Sequence, residues 1–197
     1  MSVARIQRRD GRWRALGICG VLLTSISTSV ALEIEHADSI YESHEYRVDL
    51  TIVLDAPIGR VAEVLRDYAR YPSLDPSILE AKVLSRSADD SLMLYTKLRA
   101  CSGLFCRTVS RVERVQEGRF ELLAEVIPEL SDVERGRTHT ILQTLDSRTR
   151  VRYRTTVVPK FWVPSFIGRP LMVRKLREAS LDMFRHVESQ ARSVAAP

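Results

Sequence analysis

Histidine, cysteine and long apolar runs are all scarce in this 197-residue chain, and each shortage closes off a class of function. The four histidines are His36, His44, His139 and His186, and none stands at metal-ligand spacing from another His or from a Cys. No metal and no cofactor is therefore expected. There is no G-x-S-x-G elbow, no phosphate-binding glycine loop and no redox C-x-x-C. The formal net charge of +5 is also less than it looks. Residues 1–31 hold 5 of the 30 Lys+Arg and 1 of the 25 Asp+Glu, which leaves 25 against 24 for the rest. So near-neutral a balance is no nucleic-acid footprint.

The basic surplus sits in one place. Arg5, Arg8, Arg9, Arg12 and Arg14 precede "ALGICGVLLTSISTSVA", an apolar, small-residue stretch ending at Ala31. That order reads as a secretory signal peptide cut after Ala31. The stretch is too short and too rich in Ser and Thr for a comfortable span, although uncleaved it would serve as an anchor. The expected location is periplasmic or secreted. Two cysteines then remain, Cys101 and Cys106. In an exported chain an even count suggests a disulfide, with two free thiols as the alternative.

Residues 32–45 are mixed and acidic without a clear period, and read as an N-terminal arm. Alternation starts at Tyr46, Val48, Leu50, Ile52 and Leu54, a half-buried strand. Asp55 is a plausible helix cap and Pro57 fits a first turn. Ile58, Val61, Val64, Leu65 and Tyr68 recur at helical spacing, and "YPSLDP" breaks that helix. Strands are expected over Ile78–Leu84, Ser91–Ala100, Cys106–Gln116, Arg119–Ile127, Val133–Leu145 and Arg148–Val158. Their short turns favour antiparallel hairpins, and Cys101 and Cys106 would clamp one hairpin tip. A long helix closes the chain, with Met172, Leu176, Ala179, Ser180, Met183 and Val187 on one stripe. The fold class is α+β.

"TIVLDAPIGRVAEVLRDYARYPSLDPSILEAKVL", with its Asp67–Pro72 "DYARYP", resembles the opening of the START-like superfamily. The nearer likeness is to its polyketide cyclase/dehydrase and lipid-transport group, which includes coenzyme-Q-binding START-domain proteins. The "FWVPSFIG" segment before a long terminal helix matches as well. The resemblance implies a helix-grip fold, a curved antiparallel sheet of about seven strands around the C-terminal helix, with two short helices after the first strand. The domain would run over residues 46–191, leaving a tail at 192–197.

Such a fold encloses space between sheet and helix, so the expected function is an exported binder or carrier of a hydrophobic small molecule: a lipid, quinone or sterol-like compound. Candidate ligand-binding residues are Leu50, Ile52, Tyr68, Tyr71, Tyr95, Tyr153, Met172, Leu176 and Met183, any of which would equally serve as plain core. Phe161, Trp162 and Phe166 are read as a gate, because in the resembled group this junction lies near the entrance. Phe161 and Trp162 are also the candidates for transient membrane contact. No nucleic acid is expected, and the sequence names no protein partner. No residue is assigned as catalytic. The alternative is a cyclase- or dehydrase-like enzyme acting on an aromatic or polyketide substrate in the same cavity, through His139, Tyr95 or Tyr153. Arg148, Arg150, Arg152 and Arg154 share one parity and read as a solvated outer face paired with acids such as Glu121 or Glu125.

Overall fold

The computed structural model describes residues 32–89, 91–102, 105–163 and 168–193. The candidate signal segment, Phe166 and the end of the tail lie outside the described residues. The strands are β1 (Glu33–Glu42), β2 (Glu45–Leu54), β3 (Ile78–Arg86), β4 (Ser91–Ser102), β5 (Phe105–Gly118), β6 (Glu121–Val126), β7 (Val133–Leu145) and β8 (Arg148–Pro159). The helices are α1 (Ile58–Arg66), α2 (Tyr71–Leu74) and α3 (Gly168–Ser193), with a 3-10 turn at Tyr68–Arg70 and another at Pro128–Leu130. The eight strands form one antiparallel sheet in the order β1-β2-β8-β7-β6-β5-β4-β3.

The sheet has one strand more than expected, because residues 33–42 are not an arm. They form edge strand β1, paired with β2 from Glu33↔Val53 to Glu42↔Glu45. The joining turn uses Ser43 and His44 at φ 50° and 66°, left-handed positions that usually announce themselves by Asn or Gly. Acidic side chains of β1 and β2 pair with three of the four arginines of β8. Arg148 pairs with Glu33 (2.6 Å), Arg150 with Glu35 (2.7 Å) and Arg154 with Asp49. The expected partners Glu121 and Glu125 instead pair with His139 and Arg137. Strand order explains the difference, since β8 lies between β2 and β7, and β6 is one strand further away.

At the other edge, β3 is kept from pairing further by two register shifts, between Ile78 and Glu80 and between Val83 and Ser85. Leu79 and Leu84 sit at these shifts and are exposed, and Lys82 lies between them. Bulges and a lysine are common protections of a free strand edge.

Asp55 does not cap α1. Pro57, in extended conformation, precedes the first helical residue. The Asp55 N–H donates instead to Glu188 Oε1 of α3 (2.7 Å), which satisfies one oxygen of a buried carboxylate and ties α3 to the β2–α1 corner. Around that corner lies the main core. Val48, Leu50, Ile52 and Leu54 of β2 share one buried cluster with Val61 and Leu65 of α1 and with Phe184, Val187 and Ala191 of α3. The C-terminal half of α3 is thus sealed. Cys101 and Cys106 face each other near the β4–β5 tip and are joined by a disulfide (S–S 2.06 Å). Closing so short a loop contributes only about 2 kcal/mol in chain entropy.

Candidate functional site: a cavity between sheet and helix

The N-terminal half of α3 stands off the sheet over a cavity of about 260 Å³. This is close to the lower end of small-molecule pockets, roughly 300–1,000 Å³. Met172, Leu176, Ala179, Ser180 and Met183 form its helical wall, one stripe at helical spacing. The sheet supplies alternate residues from β4 to β8, as strand periodicity requires. Leu94 and Leu98 come from β4, Val109 and Val115 from β5, Leu122 and Ala124 from β6. Thr138 and Thr140 of β7 and Tyr153, Thr155 and Val157 of β8 complete that wall, and Tyr68 and Tyr71 close one side. Thr138 and Thr155 satisfy each other through their hydroxyls at 2.8 Å.

Phe161 lies at the end of the wall where β8 leaves the sheet, and the Arg107 guanidinium stacks 5.0 Å from its ring centre. Arg107 belongs to the hairpin that the disulfide closes, so a cation–π contact links that tip to the Phe161 segment.

The structure therefore gathers Tyr68, Tyr71, Tyr153, Phe161, Met172, Leu176 and Met183 around one space. Leu50 and Ile52 are corrected to core. Both are fully buried on the part of β2 that belongs with the sealed half of α3. Tyr95 is corrected to the outer face, because β4 turns its even-numbered residues inward; the Lys82 ammonium lies 5.0 Å from the Tyr95 ring. Trp162 is 80% exposed and takes no part in the wall. His139 likewise points outward, since Thr138 and Thr140 point in, and it is held by Glu121. Asp67 is outside the wall, near Arg70 (3.3 Å).

The tyrosines in the wall are held as neutral phenols. Burial, followed by the nearby Glu113 carboxylate, pushes the Tyr71 hydroxyl well above its ordinary value, and it donates to the Leu65 carbonyl (2.8 Å). Burial raises Tyr153 too. Burial, then Tyr71, raises Tyr68, which donates to Glu117 Oε1 (2.8 Å), while Arg86 holds the other Glu117 oxygen (3.0 Å). Of the three side chains considered for catalysis, only Tyr153 reaches the cavity.

One feature of the wall escaped the sequence reading. Arg111 and Glu113 of β5 both point into the apolar space. Arg111 Nε lies 3.0 Å from Glu113 Oε2, and the Glu113 side chain is only 3% exposed. The contact is ionic rather than a formed hydrogen bond, because the Nε–H is left without a hydrogen-bond partner. The Thr96 hydroxyl is buried and unpartnered as well, and Thr96 is the cross-strand neighbour of Arg111. The signal was strand parity. Arg111 and Glu113 share theirs with Val109 and Val115, but Val112 on the opposite parity blurs the alternation.

No protein-family model matches the chain, and no curated protein matches it significantly. Solved structures do. The Zhui aromatase/cyclase from Streptomyces sp. R1128 is 16% identical, aligns over 78% of this chain and 97% of its own, and superposes with a TM-score of 0.65. A STAR-related lipid transfer protein from Xanthomonas axonopodis is 15% identical over 82% of this chain and 93% of its own, with a TM-score of 0.62. A START superfamily protein from Mycobacterium smegmatis is 16% identical over 75% and 98%, with a TM-score of 0.60. The fold is START-like, of the helix-grip kind. At such identities the likeness speaks for START-like architecture alone, and chemistry has to be argued from the wall of this chain's own cavity.

Proposed function

We propose that this START-like chain is an exported binder or carrier of a hydrophobic small molecule held between the sheet and the N-terminal half of α3. The observation that carries the reading is the wall itself: apolar strand residues face a helix stripe containing Met172 and Met183 across a space of about 260 Å³. Apolar area brought out of water there is worth roughly 25 cal/mol per Å², and methionine adapts to ligands of variable shape. Neighbours in fold include both a lipid transfer protein and an aromatase/cyclase by description, so the fold does not choose between carrying and converting. The outward placement of His139 and Tyr95 supports carrying. Export is supported by the composition of residues 1–31 and by the disulfide. Among the described residues no helix is long and apolar enough to cross a membrane.

The test is uptake of N-phenyl-1-naphthylamine by the purified chain. Saturable binding at one probe per chain is expected, and an unchanged probe signal would remove the reading.

Delivery is proposed to run through transient membrane contact at the Phe161 end. Phe161 is in the wall, and the neighbouring Trp162 holds its indole out to solvent, where it suits a bilayer interface. Trp162→Ala is expected to slow probe transfer to phosphatidylcholine vesicles severalfold while leaving the melting temperature nearly unchanged. Equal transfer rates in variant and parent would take Trp162 out of the account.

A further inference from the structure

β3 ends the sheet, and its outer edge faces no other strand among the described residues. Leu79, Val83 and Leu84 on this strand are exposed, although free edges more often carry charge. The run from Ile78 to Leu84, "ILEAKVL", also mirrors itself about Ala81. Against a reversed copy Ile78 meets Leu84, Leu79 meets Val83 and Glu80 meets Lys82. Every pair is either apolar or of opposite charge.

The backbone bonding agrees with that centre. The Arg99 N–H of β4 donates to the Ser77 carbonyl (2.7 Å) before β3, and the Ser87 N–H after it donates to the Ser91 carbonyl (2.8 Å). Bonded and non-bonded pairs alternate along an antiparallel ladder, so the odd-numbered residues of β4 from Ser91 to Arg99 are the bonded ones. Between the two register shifts their partners are Glu80, opposite Lys97, and Lys82, opposite Tyr95. Ala81 and Val83 therefore turn their N–H and C=O groups to the free edge. A second β3 related by a two-fold axis at Ala81 would bond there, Ala81 to Ala81. Glu80 and Lys82 would then meet at non-bonded positions, where facing side chains come closest. Within one chain Lys82 Nζ already lies 2.9 Å from Glu80 Oε1, so the four charges around the axis would form a square of alternating sign.

Lys82 and the register shifts guard this edge against strands in general, because most would set an apolar or basic residue against the ammonium. A copy of β3 sets Glu80 there, on both sides of the axis.

We infer that β3 is a self-recognition edge, through which two copies of the chain pair antiparallel about Ala81 and join two eight-stranded sheets into one. The paired run is short, so the association is weak and depends on concentration. It is independent of what the cavity holds.

Sedimentation velocity of the full chain over a rising concentration series tests this. The parent is expected to pass reversibly from one chain to two. The Glu80 and Lys82 side chains are 45% and 56% exposed, so charge changes there leave the fold in place, and melting transitions check it. Lys82→Glu sets like charges against each other at both sites, as does Glu80→Lys, and each is expected to weaken self-association at least about tenfold. Mixing the two variants in equal amounts puts opposite charges back at both sites, and the mixture is expected to associate about as tightly as the parent. A parent that stays a single chain throughout, variants that associate as the parent does, or a mixture no tighter than either variant alone would each overturn the inference.

Discussion

Arg111→Met is expected to destabilise the chain by about 3 kcal/mol, although it removes a side chain from a cavity wall rather than from the core. Glu113 is the reason. Its carboxylate is 3% exposed and has Arg111 as its ionic partner. Taking the arginine away leaves a desolvated negative charge beside apolar neighbours such as Leu94, its cross-strand partner, and Val115, and that is the costly way to break a buried pair. Arg111 itself is 27% exposed, so the converse change, Glu113→Leu, is expected to cost less because the stranded guanidinium can reach water. Removing both charges at once in Arg111→Met/Glu113→Leu should recover most of the loss, since a hydrophobic replacement of a buried pair is often neutral. Urea denaturation of the three variants against the parent measures this. A loss under about 1 kcal/mol for Arg111→Met would mean that water reaches Glu113 freely and that the cavity is wet at this spot.

Phe184→Ala is expected to cost about 3–5 kcal/mol, the range for truncating a buried phenylalanine. Phe184 is fully buried at the boundary between core and cavity. On one side it belongs to the cluster of Leu50, Ile52 and Val187, and on the other its ring meets the Tyr153 ring edge-on at 5.2 Å. Tyr153 is part of the cavity wall. The change therefore removes both core packing and the support of one wall residue. Its second consequence is functional: the cavity lengthens toward the core, so longer ligands gain relative to octanol-sized ones. A thermal unfolding scan and a chain-length series read the two effects. A drop in stability below about 1 kcal/mol would show that the core closes over the gap, and no change in length preference would show that Phe184 does not bound the ligand space.

These two residues also mark how far the sequence could be read. Alternation, together with the short turns between runs, made the later strands legible, down to the bounds of β7. It failed for β1, whose "EIEHADSIYE" has charges on both parities and whose turn lacks glycine and asparagine. The stripe on α3 was legible too, but one stripe serves two purposes along its length. Met172 to Met183 face a cavity, while Val187 and Ala191 face Leu50 and its neighbours in solid core. Nothing local distinguishes them. The difference arises from where the helix meets the sheet, which is a tertiary fact. Tyr95 shows a different failure, in which aromatic character suggested a ligand contact and strand parity contradicted it. Arg111 and Glu113 show the reverse, since charged residues at an inward parity look like an interruption of the pattern until the fold places them opposite a helix.

The central claim is that the space beneath α3 holds an apolar molecule. Native mass spectrometry of the chain purified without detergent from the cells that produce it tests this most directly, with Ala179→Phe as the comparison, because Ala179 lines the cavity and a phenyl ring there would occupy it. The account predicts one small apolar adduct per parent chain and none on Ala179→Phe. A parent chain that appears bare, and stays bare after incubation with 2-octanone, would contradict it.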